Sequence, residues 1–178
     1  IISKLLGLNG DIRKTEEFKK AAIVVKTIRV NYNGHIKESM SFPYFDFCEL
    51  VKEEWDTSNL KTFFESTRFM FVIFKYDKTG ILRLEKVMFW NMPNSDLEEV
   101  HKVWERTVKI LKEGVKFKQT ARGNENNLPK ASENPVAHVR PHARDQYDTA
   151  QLPTGGSMPK QCFWLNNTYI MKQIEYKS

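Results

Sequence analysis

The stretch Ile23-Val24-Val25-Lys26-Thr27-Ile28-Arg29-Val30 limits the fold more than any other part of the chain. Its β-branched side chains suit a pleated backbone and crowd a helix, and eight residues is strand length. The turn signal Tyr32-Asn33-Gly34 closes it, so the stretch reads as a strand buried in a sheet. Lys26 is the exception, a cation inside an apolar run. Alternate residues of a strand share a face, which makes Val24 its neighbour on that face.

From this strand, taken as about 21 to 31, a second extended piece at 36 to 42 is expected to fold back as a hairpin. Pro43 should end it, and Phe47, Leu50, Val51 and Trp55 fit an amphipathic helix over 45 to 55. The segment 59 to 67 favours no element. Arg68 to Lys75 and Ile81 to Trp90 flank the tight turn Asp77-Lys78-Thr79-Gly80, which predicts a second hairpin, central in the sheet. Ser95-x-x-Glu98 has the form of a capping box, and Leu97, Val100, Trp104, Val108 and Leu111 mark one face of a helix ending near Gly114. Residues 116 to 134 and 141 to 159 read as two long polar loops, the second with Gly155-Gly156 near its apex. A short extended piece at 135 to 141 separates them. A final strand, Gln161 to Leu165, precedes a helix capped by Asn167 and running through Glu175, and Ile1 to Leu8 reads as the end of another helix.

Length and charge narrow the partners. A chain of 178 residues supports one hydrophobic core, so a single domain over 1 to 178 is expected. The net charge of +6 favours anionic partners, and it is uneven: from Val115 onward nine Lys/Arg stand against five Asp/Glu. Two cysteines, Cys48 and Cys162, are too few for a disulfide framework, and no apolar run reaches membrane-spanning length. The expectation is a cytoplasmic protein with no membrane partner. The absence of an initiator Met and of a leader suggests a fragment of a longer chain.

No glycine-rich phosphate loop and no nucleophile elbow occurs in the sequence. His138 and His142 have the spacing of a helical metal site, with Cys162 as a conceivable third ligand. Pro141 between them interrupts any helix, and zinc is not expected. Arg140-Pro141-His142-Ala143-Arg144 instead concentrates two permanent cations and an imidazole in a stiffened loop. Arginine is well suited to a guanine edge, donating to O6 and N7 together.

Four strings carry a family resemblance: Val-Lys-Thr-Ile at 25 to 28, Glu-Ser-Met-Ser-Phe at 38 to 42, His-Val-Arg-Pro at 138 to 141, and Gln-x-Phe-Trp-x-Asn-Asn from Gln161 to Asn167. Together they resemble MutH, the GATC-specific mismatch-repair nuclease. They resemble still more the second, C-terminal half of the Sau-three-A group of type II restriction endonucleases. The resemblance implies an α/β domain, a mixed sheet flanked by helices, of restriction-endonuclease type. It also implies an Asp followed by Glu-x-Lys that binds Mg²⁺ and activates water. On those positions this chain has Glu17, Val24 and Lys26. Mg²⁺ needs several hard oxygen ligands, and valine offers none. The expectation is a half that binds DNA without cutting it and holds no cofactor or metal itself, Mg²⁺ belonging to the parent enzyme. A Mg²⁺ nuclease with a displaced acid such as Glu16, Glu17 or Glu38 is the alternative.

The same resemblance assigns Glu38 to a cytosine amino group, Arg140, Pro141 and His142 to a groove-reading Arg-Pro-Lys, and Trp164 to an adenine face. His142 replaces the lysine, with a shorter and only partly charged side chain. Arg144 and Lys160 are expected on phosphates. The implied partners are double-stranded DNA carrying GATC, the catalytic N-terminal half of the same enzyme, and a second copy on a palindromic site.

Overall fold

The computed structural model describes residues 21–121 and 123–175, so Glu17 and the expected helix at 1 to 8 lie outside the described residues. The described chain divides into two compact units, one formed by 21–37 and 62–92, the other by 38–61 and 93–175.

The first unit is a mixed three-stranded sheet. Strand β1 (Ile23–Val30) pairs in parallel with β3 (Arg68–Tyr76), and β3 pairs antiparallel with β4 (Leu82–Trp90), giving the order β1-β3-β4. The second hairpin therefore forms as read from the sequence, with β3 as the central strand. Its turn is organised by Asp77, whose Oδ1 accepts from the Thr79 hydroxyl and the amides of Thr79 and Ile81. One face buries Phe69, Phe71, Ile73 and Trp90, with Phe71 and Trp90 stacked at 5.2 Å. Burying such rings is the main source of stability in a sheet of this size.

The first expected hairpin does not form. The Tyr32-Asn33-Gly34 turn is present, with Gly34 N donating to Asn31 O, yet only the bridge Val30↔Ile36 survives of the pairing. Eight residues of β1 instead take the longer apolar partner β3. The piece beyond Ile36 leaves for the second unit, where β2 (Met40–Tyr44) buries Met40 and Phe42.

The second unit is built on an antiparallel sheet of order β2-β10-β7, from β7 (Ala137–Pro141) and β10 (Gln161–Leu165). Pro43 does not end β2 but lies where the register with β10 shifts, between the pairs Cys162↔Tyr44 and Trp164↔Ser41. The helix expected over 45 to 55 is reduced to one turn, α1 (Phe47–Leu50), capped by Asp46, followed by a 3-10 turn at Trp55–Thr57. The break lets Trp55 stack flat on His101 at 4.3 Å. The undecided segment is helix α2 (Asn59–Ser66).

Helix α3 (Asn94–Glu113) ends at Gly114, whose φ of 103° is one a side chain would strain. Its capping box does not form: Pro93 is the N-cap, and the Ser95 hydroxyl turns to Asp96. Asp96 in turn accepts from the Tyr169 hydroxyl at 2.7 Å, on α4 (Asn167–Glu175). Burial and that carboxylate push the Tyr169 phenol above its ordinary pKa, so it stays a donor. The two polar loops contain short hairpins, β5 (Phe117–Thr120) with β6 (Gly123–Asn126) and β8 (Thr149–Gln151) with β9 (Ser157–Pro159). Among the described residues no helix is long and apolar enough to cross a membrane.

Candidate nucleic-acid interface

The alternation of β7 and β10 sorts their side chains onto two faces. Ala137, Val139, Phe163 and Leu165 are buried on one face and make the core. His138, Arg140 and Trp164 occupy the other, with Trp164 opposite His138 and Arg140 opposite Cys162 in the pairing. His142 follows on the same side, its amide donating to Lys160 O at 2.9 Å. Three of the expected residues therefore meet around one ring. The Arg140 guanidinium lies 4.6 Å from the Trp164 ring centroid, and the His142 ring stands edge-on to it at 5.6 Å. The indole Nε1 donates to Arg140 O at 3.2 Å, which fixes the ring beneath the guanidinium.

Arg140 is exposed, and no acidic side chain among the described residues pairs with it. A guanidinium stacked on an indole keeps its in-plane donors pointing outward and loses less freedom when it binds. Pro141 fits the strand end for a geometric reason. The Val139 amide turns away from β10 to Pro129 O, and the amide that Pro141 lacks would point the same way.

Behind the ring is a buried polar brace. Asn166 Nδ2 donates to Asn134 O at 2.7 Å, so its Oδ1 accepts from His138 Nδ1, 2.6 Å away. Asn134 Oδ1 accepts from the amides of Val136 and Ala137, and its Nδ2 donates to Glu99 on α3. Burial pushes His138 below its ordinary pKa, against the hydrogen bond it donates to Asn166, and Arg140 adds to the lowering. His138 is thus a neutral ring, stacked 6.3 Å from Trp164. It joins no metal set: among the described residues no three His, Cys, Asp or Glu come together as one.

The family profile described as the DNA mismatch repair enzyme MutH matches residues 6–102. The chain is also 36% identical, over an alignment of 214 residues, to the type II restriction enzyme Sau3AI of Staphylococcus aureus, which covers 98% of this chain. The chain belongs to the MutH family. This MutH-family chain spans 44% of the length of the Staphylococcus aureus enzyme. The recognised α/β class, with a mixed sheet and flanking helices, is the one the structure has.

The remaining expected residues are distributed as follows. Val24 and Lys26 lie together on one face of β1, half-buried, in register with the fully buried Phe69 and Phe71. The register partners of Lys26, Phe71 on β3 and through it Met88 on β4, carry no oxygen ligand. Glu38 is exposed in the second unit, two residues before β2. Arg144 is exposed beside Asp145, its Nε 3.3 Å from that carboxylate. Lys160 is bound at 2.7 Å to Asp148 and sits 4.9 Å over the Tyr44 ring. Sequence reasoning missed Tyr44, Asp148 and the part played by Asn166, and weighed His138 only as a metal candidate. The repeated Asn-Asn after Trp164 was the available signal for Asn166; nothing in spacing pairs Asp148 with Lys160.

Proposed function

We propose that this chain is a sequence-specific duplex-DNA-binding module, with GATC as its site, acting in the cytoplasm as the non-cutting, effector half of a type II restriction endonuclease. The observation that carries the reading is Arg140, exposed, without an acidic partner among the described residues and braced on Trp164. Arg140 and His142 address guanine in the major groove, Glu38 accepts from a cytosine amino group, and Trp164 packs against adenine. The catalytic half of the parent enzyme and a second copy on the palindrome are its protein partners, and Mg²⁺ serves the parent's cutting site. Val24 beside Lys26 supports the loss of cutting in this half, since the carboxylate that would hold the ion is replaced by an alkyl group.

The deciding experiment is a titration of GATC and scrambled duplexes with the wild type and Arg140→Ala. The variant should lose about 1 to 3 kcal/mol, roughly 5- to 150-fold, on GATC and far less on scrambled DNA. Equal losses on both would make Arg140 a phosphate contact. The same samples incubated with Mg²⁺ should leave the duplex intact. Cleavage that vanishes in Lys26→Ala would instead establish a Mg²⁺ nuclease with a displaced acid.

A further inference from the structure

Of the cations expected on DNA around Trp164, Arg140 has no acidic partner among the described residues, while Lys160 faces a resident carboxylate. Asp148 divides its two oxygens between two donors. Its Oδ1 accepts from Lys160 Nζ at 2.7 Å and its Oδ2 from the Arg144 amide at 3.0 Å. An ammonium and a backbone amide converging on the two oxygens of one anion are also what the non-bridging oxygens of a phosphodiester require. Lys160 is further placed by the Tyr44 ring beneath it and by its own amide, which donates to Asp148 O.

The turn has closing hydrogen bonds besides those of this carboxylate. Asp145 Oδ1 accepts from the amides of Tyr147 and Asp148, and Asp148 N also donates to Asp145 O, so the turn is closed by Asp145 and by backbone. The Asp148 side chain is thus an anion added to a cradle that is already built.

We propose that Asp148 occupies a DNA backbone-phosphate site formed by Lys160 Nζ and the Arg144 amide, and that it yields these donors when a phosphate docks. The assignment rests on the DNA-binding reading above and adds to it a named phosphate contact and its internal competitor. Because phosphate contacts carry no sequence information, the resident anion lowers affinity for every duplex by a common factor.

The test is binding of wild type, Asp148→Asn, Lys160→Met and the double variant to GATC and scrambled duplexes across a range of salt. Asp148→Asn should bind both duplexes roughly two- to fivefold more tightly, by the same factor, as expected for removal of a competing exposed ion pair. Lys160→Met should flatten the dependence of log affinity on log salt by about 0.9, the value of one phosphate contact. In the Lys160→Met background, Asp148→Asn should gain less than it does in the wild type, since only the Arg144 amide is then released. An unaltered or weakened Asp148→Asn, or a Lys160→Met with the wild-type salt slope, overturns the assignment while leaving the DNA-binding reading intact. Wild-type protein that binds neither duplex overturns both. Should Asp148→Asn fail to fold, the Lys160→Met slope decides alone.

Discussion

The two three-stranded sheets of this chain use their faces in opposite ways. In β1-β3-β4 the face that holds Val24 and Lys26 continues into Phe69, Phe71, Ile73 and Trp90, all buried to 1% or less. In β2-β10-β7 the face opposite the apolar core presents Arg140, His142 and a half-buried Trp164, and its interior support is a set of hydrogen bonds from Asn134 and Asn166. Both sheets have an apolar core, but the second adds buried polar groups that must each find a partner. The difference teaches what each kind of site requires. A Mg²⁺ site in general depends on several oxygen ligands converging on one ion, so its parts are needed together. Base edges in the major groove are read by separate side-chain contacts, each of which carries part of the discrimination.

Mutations break that comparison in order of size. Phe71→Ala, in the first sheet, should cost about 3 to 5 kcal/mol in denaturant unfolding, because it removes a fully buried ring stacked on Trp90. A cost near that of an exposed substitution would mean that the aromatic face is not the support described. Asn166→Ala, in the second sheet, should cost about 1 to 3 kcal/mol, since it leaves the buried His138 Nδ1 and Asn134 O without their partners. It should also loosen Trp164 and reduce discrimination between GATC and scrambled duplexes. Stability lost with discrimination unchanged would separate the brace from the recognition face.

Acid sharpens the comparison with the smallest effects. His138 lies below its ordinary value in the fold, so the support it gives is complete above about pH 6.5 and is lost as pH falls through its lowered folded pKa. Asp77, at the turn of the first sheet, is held at about 2 chiefly by the Thr79 hydroxyl and the Ile81 amide. Its contribution is present above about pH 4 and disappears as pH falls toward 2. Amide exchange followed down in pH should therefore show the second sheet loosening before the β3–β4 turn. The reverse order would contradict the assignment of a buried neutral His138.

Much of this was legible in the chain itself. The β-branched run of β1, the Asp-x-x-Gly turn joining β3 and β4, the apolar stripe of α3 and its glycine stop, and the strand-helix junction at Leu165 to Asn167 each follow from local rules of pleat, turn and helix period. The Arg140-Pro141-His142 and Trp164 strings could be picked out because they resemble family motifs, the first also gathering cations in a segment stiffened by proline. The failures share one cause. The Tyr32-Asn33-Gly34 turn promised a hairpin, but β1 found more buried contact with β3, forty-five residues away by register from Ile23 to Arg68. The capping box at Ser95 lost its role because the helix starts after Pro93, and Asp96 serves Tyr169 across seventy-three positions.

The sequence alone determined the main strands, the long helix and the β3–β4 turn, and which residue types were available for a recognition face, because those depend on neighbours a few positions apart. Only the tertiary structure decided that Arg140 rests on Trp164, that His138 is a neutral brace, and that Asp148 holds Lys160. Those pairings depend on strand order and register, which are set by the burial of apolar surface over the whole chain and leave no trace in local spacing.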